Sequence, residues 1–285
     1  MALMALALAA LGLAGSAQAK LTGEFTRFGN CEYKNLTVKK CIVSTTESGE
    51  VVLGNKKVPI EKPVVLQGGY GKAGENGFGQ FFGATNGITL SKAPQNVPGG
   101  LLGIVPEASS PALVKALIKF FLENKLTGVN STLELAKPAS EIWVSENNLA
   151  GEAEVALKLP VQIRLENPFL GKNCLVGSST SPIKWELTTG TTAPPAPNTP
   201  IKGSSGFFEI LEEGTILRSK GAKLVDNSWS APKATGCGGI LSFLVSPIIN
   251  SQLGTTTAGH NTAILNNTVY IASRFAVNEN NELNP

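Results

Sequence analysis

The stretch Val51-Val52-Leu53-Gly54-Asn55-Lys56-Lys57-Val58-Pro59-Ile60 decides the fold class. Two short runs built on valine flank a Gly-Asn pair, and Gly-Asn supplies the positive φ that a two-residue hairpin turn requires. Downstream, Val64 to Gln67 continues as a short apolar strand. Thr132 to Leu135, Glu141 to Ser145, Glu152 to Leu159 and Val161 to Leu165 then alternate apolar with polar residues. That alternation suits strands with one wet face. Further strands are expected at Ile183–Leu187, Phe207–Leu211, Thr215–Arg218 and Thr268–Ala272. Short strands separated by Gly, Asn, Ser and Pro clusters imply a mainly β protein, an antiparallel sandwich or barrel.

Two segments depart from this pattern. Ser110 caps and Pro111 opens an expected helix that runs to Leu126, with Lys115, Lys119 and Glu123 forming one narrow polar stripe and almost everything else apolar. A helix this apolar around its circumference must be mostly covered. The second, Ile240–Ile249, is a hydrophobic run containing Pro247, so any helix there is short or kinked. Residues 93–100 and 188–203, rich in Pro, Gly and Thr, read as linkers or long loops. The expected organisation is a lysine-rich β unit over 20–92 and a larger β unit with a packed helix over 93–285, the two packed together or continuous.

Residues 1–19 carry an apolar Ala/Leu run ending in Ala17-Gln18-Ala19, the pattern of a signal peptide cut before Lys20. Such signals begin with Lys or Arg, and none precedes Lys20, which points to a start upstream of Met1. The run is shorter than the about 20 residues that span a bilayer, and no later stretch is long and apolar enough. Secretion of the mature chain is therefore expected, with a polar, frayed end over Asn278–Pro285. The four cysteines suit an oxidising exterior; by proximity Cys31 pairs with Cys41 and Cys174 with Cys237. Zinc is disfavoured, because no Cys-x-x-Cys or histidine spacing accompanies them.

Composition removes much chemistry. The chain holds one Asp (Asp226), one His (His260) and four Arg against 20 Glu and 20 Lys, with 22 Asn and 22 Thr. A histidine-based triad could draw only on His260, which sits in a turn-like Gly-His-Asn, and no GxSxG elbow occurs. Gly69-Tyr-Gly-Lys-Ala-Gly74 matches GxGxxG formally. It is followed by glycine-rich sequence rather than a helix and lacks the later acidic residue, so no dinucleotide cofactor is expected. Glu152 with Glu154, and Glu212 with Glu213, are the carboxylate pairs a glycosidase reading would use; both read more simply as solvated surface. Net charge is +3 and comes from lysine. Lys34, Lys39, Lys40, Lys56, Lys57 and Lys62 form a possible basic surface that could attract acidic cell-wall polymer, whereas nucleic-acid recognition favours clustered Arg with aromatics. Trp143, Trp185 and Trp229 are expected in the core.

Asn167-Pro-Phe-Leu-Gly-Lys-Asn-Cys174-Leu-Val-Gly-Ser, Leu-Thr-Thr-Gly-Thr-Thr-Ala-Pro-Pro and Ala234-Thr-Gly-Cys237-Gly-Gly resemble stretches of a family of secreted, functionally uncharacterised β-rich proteins of high-GC Gram-positive bacteria. The resemblance implies export and a bacterial source and transfers no active-site residue. The sequence thus leads to a non-catalytic exported protein of the cell surface, acting by adhesion, wall association or self-assembly, with no catalytic, metal or cofactor residue assigned. A carrier of a lipid or other apolar ligand comes second, since the two apolar segments exceed what one sheet face needs. A carboxylate hydrolase comes third. A solidly packed interior would remove the carrier.

Overall fold

A computed structural model describes residues 20–100, 112, 116, 127–152 and 154–283. The expected signal over 1–19 lies outside these residues, as does the expected helix over 111–126 apart from Ala112 and Ala116, which are helical and exposed. A short 3-10 turn at Gly23–Phe28 precedes five strands: β1 (Lys40–Leu53), β2 (Lys56–Pro59), β3 (Val64–Tyr70), β4 (Gly79–Phe82) and β5 (Gln95–Val97). Next come β6 (Val129–Leu135), β7 (Trp143–Val144), helix α1 (Glu146–Gly151), β8 (Val155–Glu166), β9 (Leu175–Val176) and β10 (Ile183–Thr188). The remainder comprises β11 (Phe207–Leu211), β12 (Ile216–Asp226), β13 (Ala234–Thr235), α2 (Ser242–Leu253), β14 (Asn261–Ser273) and α3 (Arg274–Leu283).

All the strand pairings are antiparallel, and the mainly β expectation holds. Pairing runs from β1 through β3, β4, β7, β8, β10, β12 and β14 and returns to β1, so eight strands close a ring. The seam between β10 and β12 is narrow, a single pair at Thr188 and Val225. Strands β2, β5, β6 and β9 extend the wall beyond this ring. The long β8 carries β10 and then β9 along one edge, and β7 and then β6 along the other. The backbone of the ring is β1 against β14, paired from Lys40–Ser273 to Leu53–Asn261. Through this pairing the N-terminal β unit and the larger one share a single sheet.

Strand period explains how two cores arise from these two strands. Successive side chains point to opposite faces. Ile42 on β1 and Ala263, Leu265, Val269 and Ile271 on β14 face the central core. Cys41, Tyr270 and Ala272 face a second cluster with Phe25, Phe28, Val38 and Val277. Both faces of this pair are therefore covered.

The hairpin forms as the sequence predicts, with Gly54 at φ 55°. Both disulfides pair as expected, Cys31 with Cys41 and Cys174 with Cys237. Several boundaries differ. The expected strands on either side of Pro160 are one continuous β8, and Thr268–Ala272 is the end of the much longer β14. Of Glu141–Ser145 only Trp143 and Val144 are strand, because a 3-10 turn at Ala139–Glu141 precedes them. The chain end is not frayed over Asn278–Leu283. It forms α3, whose buried Val277 and Asn281 dock on the N-terminal turn, with Tyr33 Oη donating to Asn281 Oδ1 at 3.2 Å and Thr22 N to Asn280 Oδ1 at 2.9 Å. Polar composition concealed this, since the docking bonds come from asparagine side chains. The expected 240–249 helix is α2, 12 residues long with Pro247 inside.

Candidate ligand-binding cavity

The central core holds a cavity. It lies between β1, β2, β3 and β14 on one side and β5, β6, β8, β10 and β12 on the other and measures about 120 Å³. Its wall is overwhelmingly apolar, from Leu53, Leu66, Val97, Leu133, Leu159, Ile163 and their neighbours, with Ile249 and Leu253 of α2. Eight-stranded barrels have interiors just wide enough to be filled by side chains or to hold one small ligand. Here the side chains of the described residues leave space.

Most polar groups on the wall fall into two sets, while the buried Trp185 Nε1 has no hydrogen-bond partner among the described residues. The first is occupied internally. Thr46 Oγ1 donates to Asn267 Oδ1 at 2.6 Å, and Asn267 Nδ2 donates to Leu265 O at 2.8 Å. Gln95 accepts from the N–H groups of Glu61 and Lys62 at 2.9 and 3.0 Å and donates to Lys62 O at 2.8 Å and Ala93 O at 3.1 Å. Gln95 thereby pins the chain between β2 and β3 to β5. The second set is Lys56 and Gln252, where Lys56 Nζ donates to the exposed Gln252 Oε1 at 3.3 Å. This pair joins the hairpin to α2, and both residues line the cavity.

The hairpin and α2 are fastened together by backbone as well. Asn55 N donates to Leu253 O at 2.7 Å, and a Cβ on Gly54 would lie 2.1 Å from that oxygen. Only glycine permits this approach, at a φ that L-residues rarely adopt. Trp185 is fully buried, lines the cavity and meets Trp229 edge-on at 5.9 Å and 64°. Trp229 is buried as expected, whereas Trp143 is only half-buried.

The six lysines of the possible basic surface are split. Lys39 and Lys40 stand at the start of β1, and Lys56 and Lys57 follow its far end, about 40 Å along at 3.3 Å per residue. Lys40 pairs with Glu146 at 2.5 Å and Lys57 with Glu50 at 2.5 Å, while Lys39 Nζ donates to Leu36 O at 3.0 Å. Lys34 and Lys62 lie in connecting segments. Of the six, Lys56 alone lines the cavity.

The other residues weighed for chemistry are placed apart. His260 is exposed in a turn, its N–H donating to Thr257 O at 3.2 Å. Asp226 is buried and accepts from the N–H groups of Glu186 and Ser228 at 2.7 and 2.9 Å; burial pushes its carboxyl above the ordinary range despite these bonds. Glu152, left-handed at the end of α1, accepts from Ser205 N and Oγ at 2.7 and 3.0 Å, which hold its carboxyl low. Glu212 accepts from Glu24 N at 2.9 Å. In the glycine-rich stretch, β3 ends at Tyr70 and an irregular segment follows. On the outer face of β6, the buried Glu134 meets Arg164 Nε and Nη2, both at 3.0 Å, and Lys92 Nζ at 3.1 Å. Burial raises its pKa, but hydrogen bonds from Arg164, Gln162 and Lys92 outweigh that and hold it at about 2.

No protein-family model, curated protein or solved structure matches the chain. The cavity itself was only partly legible. The alternating strands announced an apolar face, but a hollow depends on how large the facing side chains are across pairs distant in sequence. Nothing local marks Lys56 as the partner of Gln252, 196 residues away.

Proposed function

We propose that this chain is an exported binder or carrier of an apolar ligand with an anionic head, of the fatty-acid class. The apolar tail lies along the Leu and Val wall and the head meets Lys56. The observation that carries this reading is an apolar cavity, left unfilled by the described residues, whose wall includes a lysine with no carboxylate partner among them. Interiors normally pack to crystal-like density, and an unfilled hollow forfeits contact energy. A protein acting only by adhesion or self-assembly gains nothing from such a hollow, so the cavity favours the carrier over the surface role that composition suggests. Two disulfides support an oxidising compartment. Among the described residues no helix is long and apolar enough to cross a membrane.

Native mass spectrometry of protein purified gently from its host tests the proposal. The expected spectrum shows an added lipid mass that organic extraction removes and fatty acid restores. The double variant Val58→Phe, Leu133→Phe, which fills the cavity from two half-buried wall positions, loses it. A protein that carries no adduct and takes up no fatty acid after extraction contradicts the reading.

A further inference from the structure

We infer that the tip of α2 docks the protein on an anionic phospholipid bilayer. Helix α2 is apolar on two sides. Ile249 and Leu253 face the cavity, while Phe243, Leu244 and Ile248 point outward, and Ile240 and Leu241 in the 3-10 turn at Gly239–Leu241 extend this outer face. These are not grazing exposures: Ile240 is 95% and Phe243 71% accessible. The neighbouring loop adds Phe169, at 62%, and is tied to the turn by Gly238 N donating to Leu170 O at 2.7 Å and by the Cys174–Cys237 disulfide. Large contiguous apolar exposure marks a protein or membrane contact.

Charge selects the membrane. No Asp or Glu occurs from Asn227 to Asn278, nor from Asn167 to Trp185, the two stretches that build this surface. The exposed cations beside it, Lys172 and Lys233, make no ion pair among the described residues. Apolar side chains rimmed by unpaired lysine and free of acidic residues complement an anionic headgroup layer, which attracts each nearby lysine. A short helix lying in the interface through this face presents its other face to the cavity. That geometry would let an acyl chain pass between bilayer and interior. The transfer step rests on the carrier reading; the docking does not.

Flotation of the oxidised protein with vesicles of phosphatidylcholine alone, or mixed with phosphatidylglycerol, tests the docking, with fatty-acid uptake measured on the same samples. Binding is expected on the mixed vesicles and weaker on the neutral ones. Ile240→Ser with Phe243→Ser should cut it about tenfold or more. Lys172→Ala and Lys233→Ala should each cut it about fivefold on the mixed vesicles only. Phe207→Ser with Ile210→Ser, at the equally exposed β11, should change nothing. The cavity-filled variant should float like the parent, so loss of fatty-acid uptake with retained flotation counts against the carrier alone. Failure to float, equal flotation of the α2 variant, or self-association through α2 in place of vesicle binding overturns the docking.

Discussion

At the residue scale, the proposed anionic head would meet Lys56. Lys56 lines the cavity, and among the described residues its ammonium meets the neutral Gln252 and no carboxylate. Lys56→Met keeps the stem and removes the charge. Titration should show fatty-acid binding weakened about fivefold, the worth of one half-exposed ion pair, with the matching fatty alcohol unaffected. Glu134 illustrates a stability role. Its folded pKa of about 2 lies below the ordinary 4.5, so its contribution is complete above pH 4.5 and disappears as pH falls through the folded value. Denaturant unfolding should reveal a loss of about 3 kcal/mol between pH 5 and pH 2 from this group. Glu134→Gln should flatten that part of the profile and lower stability at neutral pH by about 2 kcal/mol.

At the element scale, the hairpin and α2 form one joint. Gly54→Ala places a methyl 2.1 Å from Leu253 O at a positive φ, so it should cost more than about 1 kcal/mol in thermal unfolding and weaken ligand binding together. Removing Cys174–Cys237 opens a loop of 63 residues and should lower stability by about 4 kcal/mol. These elements also mark where sequence reading succeeds. Val51–Ile60 declares its turn because glycine and strand period are local signals, and the cysteine pairing followed from proximity. The docked α3 escaped, because Asn280 and Asn281 reveal their partners Thr22 and Tyr33 only once the two chain ends meet. The full length of β14 escaped for the same reason. Asn261, Asn266 and Asn267 look like loop residues, yet Asn267 is buried and bonded to Thr46 from the neighbouring strand.

At the scale of the whole molecule, closure of eight strands turns an alternating pattern into an inside and an outside. The inside keeps a cavity where Leu and Val, rather than further aromatics, face one another across it. If this interior holds an apolar tail, Trp185 on its wall reports on it directly. The decisive measurement is titration of the delipidated protein with a long-chain fatty acid, followed by tryptophan emission with Trp143→Phe in the background to isolate the buried pair. A saturable change at one ligand per chain, absent from Val58→Phe, Leu133→Phe, is the predicted result. Emission that does not respond, or that responds identically in the filled variant, would contradict the account.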